Sequence, residues 1–129
     1  MDGFRAFCRA LLIWLRIISP PDLLARLVAD HPPPESLESG WIYVVVGPGY
    51  QKWAYFRCPA DNDEIIQLSL MKKHRPRWGV AIDFLQRPTI HPSVRQLDGS
   101  YAHFWVRKGR VDWCADTGIK PIPKVRLQA

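Results

Sequence analysis

Five side chains have the types and spacing for hydrolytic chemistry: Ser93, His103, Cys114, Cys58 and Glu64. A serine is inert toward a carbonyl until a neighbouring base takes its proton, and histidine is the usual base. A cysteine beside a histidine is a nucleophile in its own right, because its thiolate forms readily. His103, Cys114 and Cys58 would instead suit zinc, with Glu64 as general base toward a bound water. Three schemes follow: Ser93 with His103 as base and Glu64 or Asp112 orienting the imidazole; Cys114 with His103; or a zinc centre. The inert alternative is a surface histidine beside a half-buried cysteine.

Two turns must bring these groups together. Lys108-Gly109 reads as a two-residue hairpin turn, with glycine supplying a positive φ. That turn sets His103 opposite Cys114, Phe104 opposite Trp113, Val106 opposite Val111 and Arg107 opposite Arg110. Alternation then gives a core face of Phe104, Val106, Val111 and Trp113. The other face shows His103, Trp105, Arg107, Arg110, Asp112 and Cys114. Asp98-Gly99-Ser100 reads as a three-residue loop with a glycine bulge. It sets Arg95 opposite His103 and Ser93 opposite Trp105, which makes Ser93 a diagonal neighbour of His103. A two-residue loop would turn Ser93 to the opposite face. Arg107, Arg110 and Trp105 are the candidate contacts for an acidic or carboxylate-bearing substrate.

Around that hairpin the chain reads as mainly β. From Gly40 onward, short β-rich runs alternate with turn residues, over 41–46, 51–58, 64–70, 78–84, 89–96, 102–107 and 111–115. Seven such strands predict a small antiparallel sandwich, roll or partly open barrel. Residues 1–35 predict a helical hairpin and a Pro-rich linker, 36–116 the β-rich catalytic or binding domain, and 117–129 an irregular tail. The first helix, from Phe4 to Ile18, is apolar except for a stripe of Arg5, Arg9 and Arg16. Such a surface wants burial over most of its circumference, against the domain, a second copy of the chain or a membrane surface; packing within the protein is the expectation. The run is too short and too charged to span a bilayer, and it lacks the form of a signal peptide. The second helix would present Leu23, Leu24, Leu27 and Val28 on one face.

The chain has 129 residues, a net charge of +6, 47% hydrophobic and 23% charged residues, which excludes a disordered polypeptide. Residues 71–129 hold twelve of the basic groups against four acidic ones, so the basic excess lies in that half. Three cysteines cannot all pair, which fits a reducing cytoplasm better than a disulfide scaffold. Lys72, Lys73, His74, Arg75, Arg77 and Trp78 form a basic and aromatic cluster of the kind that touches nucleic acid. No recognised nucleic-acid motif accompanies it, so nucleic acid is the disfavoured partner.

Gly40-Trp41-Ile42-Tyr43, Cys58-Pro59, Glu64, Trp78, Pro92-Ser93-Val94 and the hairpin from His103 to Trp113 form a pattern. It resembles a bacterial family catalogued as domain of unknown function 6527, over Gly40 to Cys114. The resemblance implies an accessory protein of ubiquitination-like operons, beside a ubiquitin-like protein and its activating and conjugating enzymes. The implied role is a peptidase that trims or releases the ubiquitin-like C-terminus. Further cysteines of the family fall here at Ala60, Asn62 and Ser100, so a four-cysteine zinc site cannot form. Either no metal is retained or Cys58 binds one with other partners. Because Pro-Ser is a family motif, the serine scheme ranks first, without a cofactor, then metal, then cysteine. The alternative is a non-catalytic module that binds a ubiquitin-like protein or nucleic acid.

Overall fold

The computed structural model describes residues 2–120; of the expected irregular tail, 121–129 lie outside the described residues. Period-2 patterning produces strands where it was expected. β2 (Trp41–Gly47), β3 (Tyr50–Arg57), β4 (Ile65–Ser69), β5 (Gly79–Ile82), β6 (Pro88–Arg95), β7 (His103–Arg107) and β8 (Arg110–Trp113) agree with the seven runs to within a residue or two. An eighth strand, β1 (Leu24–Val28), precedes them. The strands form two sheets, ordered β1-β2-β3-β4 and β5-β6-β7-β8, with no closed barrel. Ile42, Val44, Phe56 and Ile66 of the first sheet share one buried core with Ile90, Val94, Phe104 and Val106 of the second. Phe56 and Phe104 meet edge-on across it, with ring centroids 6.5 Å apart. Edge-to-face contact is the favoured aromatic geometry, so the two sheets are keyed to one another through the strand that bears His103.

The expected helical hairpin is corrected in its second limb. The first limb is helical, as α1 (Asp2–Trp14). The second is β1, hydrogen-bonded parallel to β2, with Leu24 beside Trp41 and Val28 beside Val45. Leu23 and Ala25 enter the core, and the Arg26 guanidinium sits 4.0 Å over the Trp41 ring. A short apolar run fits a helix face or a strand equally well, and here the open edge of β2 supplies the hydrogen-bond partners. Residues 29–40, with Pro32 to Pro34, carry the chain from β1 back to the start of its parallel neighbour, as parallel pairing requires.

α1 docks by its polar stripe, contrary to the expected burial of its apolar surface. Arg5 donates from Nε to the Phe84 carbonyl (2.6 Å) and from Nη2 to that of Asp83 (2.8 Å). Arg9 Nη1 donates to the Leu85 carbonyl (3.1 Å) and to Gln86 Oε1 (2.8 Å). Phe7 and Trp14 are left 63% and 77% exposed. Among the described residues, no helix is long and apolar enough to cross a membrane.

Candidate active site

The β7–β8 turn has the backbone its sequence demands. Lys108 (φ 48°) and Gly109 (φ 77°) are both left-handed, as a two-residue hairpin of this hand requires. Gly109 is also a point of close approach: a Cβ there would lie 2.6 Å from the Leu23 carbonyl oxygen and 2.7 Å from Pro21 Cβ. The N–H groups of Asp22 and Leu23 both donate to the Gly109 carbonyl at 2.8 Å, so the chain leading into β1 braces the turn. The register is the expected one, with Phe104 opposite Trp113 and Arg107 opposite Arg110. At the open end, Cys114 N–H donates to the His103 carbonyl at 2.9 Å.

Between β6 and β7, Arg95 faces His103 and Val94 faces Phe104, again as expected. The register then shifts between Ile90 and Val94, so Ser93 does not pair directly with Trp105. Pro92 lies in this irregular stretch, where its missing N–H costs no ladder bond. Ser93 remains the diagonal neighbour of His103, and its Oγ lies 3.1 Å from His103 Nε2.

The other imidazole nitrogen has a partner that the sequence analysis missed. His103 Nδ1 is 2.6 Å from Asp116 Oδ1, and Arg95 Nη2 pairs with Asp116 Oδ2 at 3.1 Å. Asp116 lies in a turn after β8, where Thr117 N–H donates to the Cys114 carbonyl (3.1 Å) and Gly118 N–H to that of Tyr101 (2.9 Å). Thr117 Oγ1 accepts from the His103 N–H at 3.1 Å and donates to its carbonyl at 2.5 Å, which ties this turn to the start of β7. The hydrogen bond with His103 holds the Asp116 carboxyl below the usual aspartate range; partial burial opposes this and the Arg95 charge adds to it. The available signal was the run Cys114-Ala115-Asp116-Thr117-Gly118, a turn signature directly after the residue opposite His103.

Glu64 and Asp112, expected to orient the imidazole, are engaged elsewhere. Glu64 accepts the Ser100 N–H at 2.6 Å and the Ser100 hydroxyl at 2.7 Å. Partial burial pushes its carboxyl up, but hydrogen bonds from Ser100, Gln96 and Cys58 outweigh this and leave it below the usual glutamate range. Glu64 therefore clasps the β6–β7 loop, and Gly99 (φ 63°) leaves the space its carboxylate fills. Asp112 pairs with Arg107 at 3.1 Å. The Arg107 guanidinium lies 4.7 Å over the Trp105 ring. Arg110 is exposed at the far end of the hairpin, and Arg107 is four residues from His103, roughly 13 Å along the strand.

The cysteines fall into separate places. Cys58 is buried, with its Sγ 3.8 Å from Ser100 Oγ. Ala60, Asn62 and Ser100 add no thiol to it, so these residues do not fit a four-cysteine zinc centre. Cys114 stands with His103 and Asp116, whose donor atoms all lie within 4.8 Å of one another; among the described residues this is the one such group, and Cys58 is outside it. The zinc set of Cys58, Cys114 and His103 is thus not brought together. Arg95, already paired with Asp116, adds a positive charge that opposes a cation at the remaining group.

Serine, histidine and aspartate joined in that order by hydrogen bonds are the arrangement of a serine hydrolase. Residues 28–114 match the model of the family described as bacterial ubiquitination-like system serine protease (BubE), and the protein belongs to that family. Ser93 and His103 lie inside the matched region, and Asp116 lies just beyond it. No curated protein and no solved structure matches the chain.

Proposed function

We propose that the protein is a Ser–His–Asp peptidase that trims or releases the C-terminal tail of a bacterial ubiquitin-like protein. The observation that carries this is the continuous chain from Ser93 Oγ through both nitrogens of His103 to Asp116. The ionised Asp116 accepts from Nδ1–H, which leaves the Nε2 lone pair facing the serine hydroxyl. As Oγ attacks the scissile carbonyl, Nε2 takes the hydroxyl proton and then delivers it to the leaving amine. The C–N bond breaks and an acyl-serine ester remains. Water attacks the ester, Nε2 takes its proton, and Oγ leaves with that proton as the serine is restored.

Family membership supports the setting: the ubiquitin-like protein and the enzymes that activate and conjugate it are the partners this reading names. Three free cysteines agree with work in the cytoplasm. Arg110, exposed beside the Arg107–Trp105 stack, is the residue we assign to the substrate carboxylate. A fluorophosphonate probe tests the core of this reading, because it labels an activated serine without needing the cognate substrate. Wild type should gain one adduct, on Ser93, by intact mass and peptide mapping, and His103→Ala should lose it. Labelling that survives His103→Ala, or none in the folded wild type, would refute the Ser93–His103 mechanism; a chain that also cleaves no ubiquitin-like precursor would be a binding module in place of an enzyme.

A further inference from the structure

The basic loop between β4 and β5 takes no part in the Ser93–His103–Asp116 chain. It carries the polypeptide from one sheet to the other and is closed at its base by Trp78 N–H donating to the Ser69 carbonyl at 2.8 Å. Against it lies a groove of about 730 Å³, within the ~300–1,000 Å³ range of ligand clefts. Leu70, Met71 and Trp78 give it apolar walls, Lys72, Lys73 and Arg77 give it cations, and no acidic residue lines it. Those three cations are exposed, and among the described residues none of them is in an ion pair. Gln51, which lines the groove, links the two sheets, its Nε2 donating to the Val80 carbonyl at 3.0 Å. Its Trp78 reaches the nucleophile's own backbone: Nε1–H donates to the Ser93 carbonyl at 3.1 Å.

We propose that this groove receives an acidic segment of the protein substrate, with apolar side chains spaced between its carboxylates, while the scissile tail lies at Ser93. The inference rests on the peptidase reading and adds the substrate's second point of contact. Unpaired cations attract carboxylates, the apolar walls take the intervening side chains, and both are joined through Trp78 to the strand that presents Ser93. A nucleic acid would need free aromatic faces for its bases. Of Tyr50 and Trp78, which line the groove, Tyr50 is exposed and offers a single face, whereas Trp78 is half-buried with its N–H committed to Ser93, so successive bases lack a continuous stacking platform.

The test uses the full chain with Ser93→Ala, so that binding is read apart from cleavage. Fluorescence anisotropy would follow three labelled probes: a short peptide alternating Glu and Leu, its Lys and Leu counterpart, and an oligothymidylate of equal length. The Glu–Leu peptide should bind best, more weakly as salt rises. Reversing Lys72, Lys73 and Arg77 to Glu should weaken it about tenfold or more, for three exposed contacts acting together. The Lys–Leu peptide should then bind the reversed chain better than its parent. Tighter binding of oligothymidylate, no binding of the acidic peptide, or indifference to the reversal in a chain with unchanged melting temperature would each overturn the proposal. Failure here leaves fluorophosphonate labelling of Ser93 intact, and failure of labelling leaves peptide capture intact, so the two ideas fall separately.

Discussion

Replacing Asp116 by asparagine alters one atom and reverses one hydrogen bond. In the native chain, Oδ1 accepts from His103 Nδ1 and Oδ2 accepts from Arg95. Asparagine has one oxygen and one NH2 for these two places. A guanidinium only donates, so Arg95 selects the oxygen and turns the NH2 toward Nδ1. Nδ1 must then accept, and the ring proton moves to Nε2, which faces Ser93 Oγ at 3.1 Å. A protonated Nε2 cannot take the serine proton. The expected loss in kcat/KM is about 10⁴-fold, the scale seen when a triad histidine is held in the wrong tautomer. Rates of fluorophosphonate labelling and of peptide cleavage would measure it. The double variant Arg95→Leu with Asp116→Asn frees the amide to turn and should be about tenfold more active than Asp116→Asn alone. A loss below about tenfold in Asp116→Asn would refute the orienting role. A double variant no better than the single would refute the part given to Arg95.

Glu64→Ala should lower the melting temperature by a few degrees at neutral pH, since it removes two charge-assisted bonds to Ser100. The Glu64 carboxyl lies below its ordinary range. Its stabilisation is therefore complete above the ordinary glutamate value of about 4.3 and is lost as pH falls through the lower folded value. Thermal melts across acid pH should show wild type and variant converging, and a gap that persisted in strong acid would contradict this. EDTA and Cys114→Ala should each leave cleavage within about twofold, read by intact mass; collapse under either would move the chemistry to a metal or a thiol. Arg5→Ala with Arg9→Ala removes the four hydrogen bonds that hold α1 to residues 83–86. Hydrogen exchange should then rise across α1 with strand protection unchanged, and unaltered exchange in α1 would show that other contacts seat the helix.

Pairing across the two hairpins was legible in the sequence because a tight turn is a property of two or three neighbouring residues. Lys108-Gly109 accounts for the β7–β8 register, and Asp98-Gly99-Ser100 for that of β6 with β7 up to Arg95. From these alone, Ser93 and His103 belong together. Strand periodicity likewise located the seven later strands and the alternation of Phe104 and Val106 into the core. β1 was a different case. Leu23 to Val28 fits a helical face or a strand, and its pairing with β2 depends on an edge contributed by residues 41–45. Asp116 was beyond any pairing rule, since alternation stops where the strand stops. A turn closed by Thr117 and Gly118 on β7 swings Asp116 back to His103, while Ser100 holds Glu64 away. The serine and the base could thus be read from local turn chemistry. The carboxylate that orients the base could not, because Glu64, Asp112 and Asp116 lie at very different separations from His103 in sequence, and only folded distances decide which of them arrives.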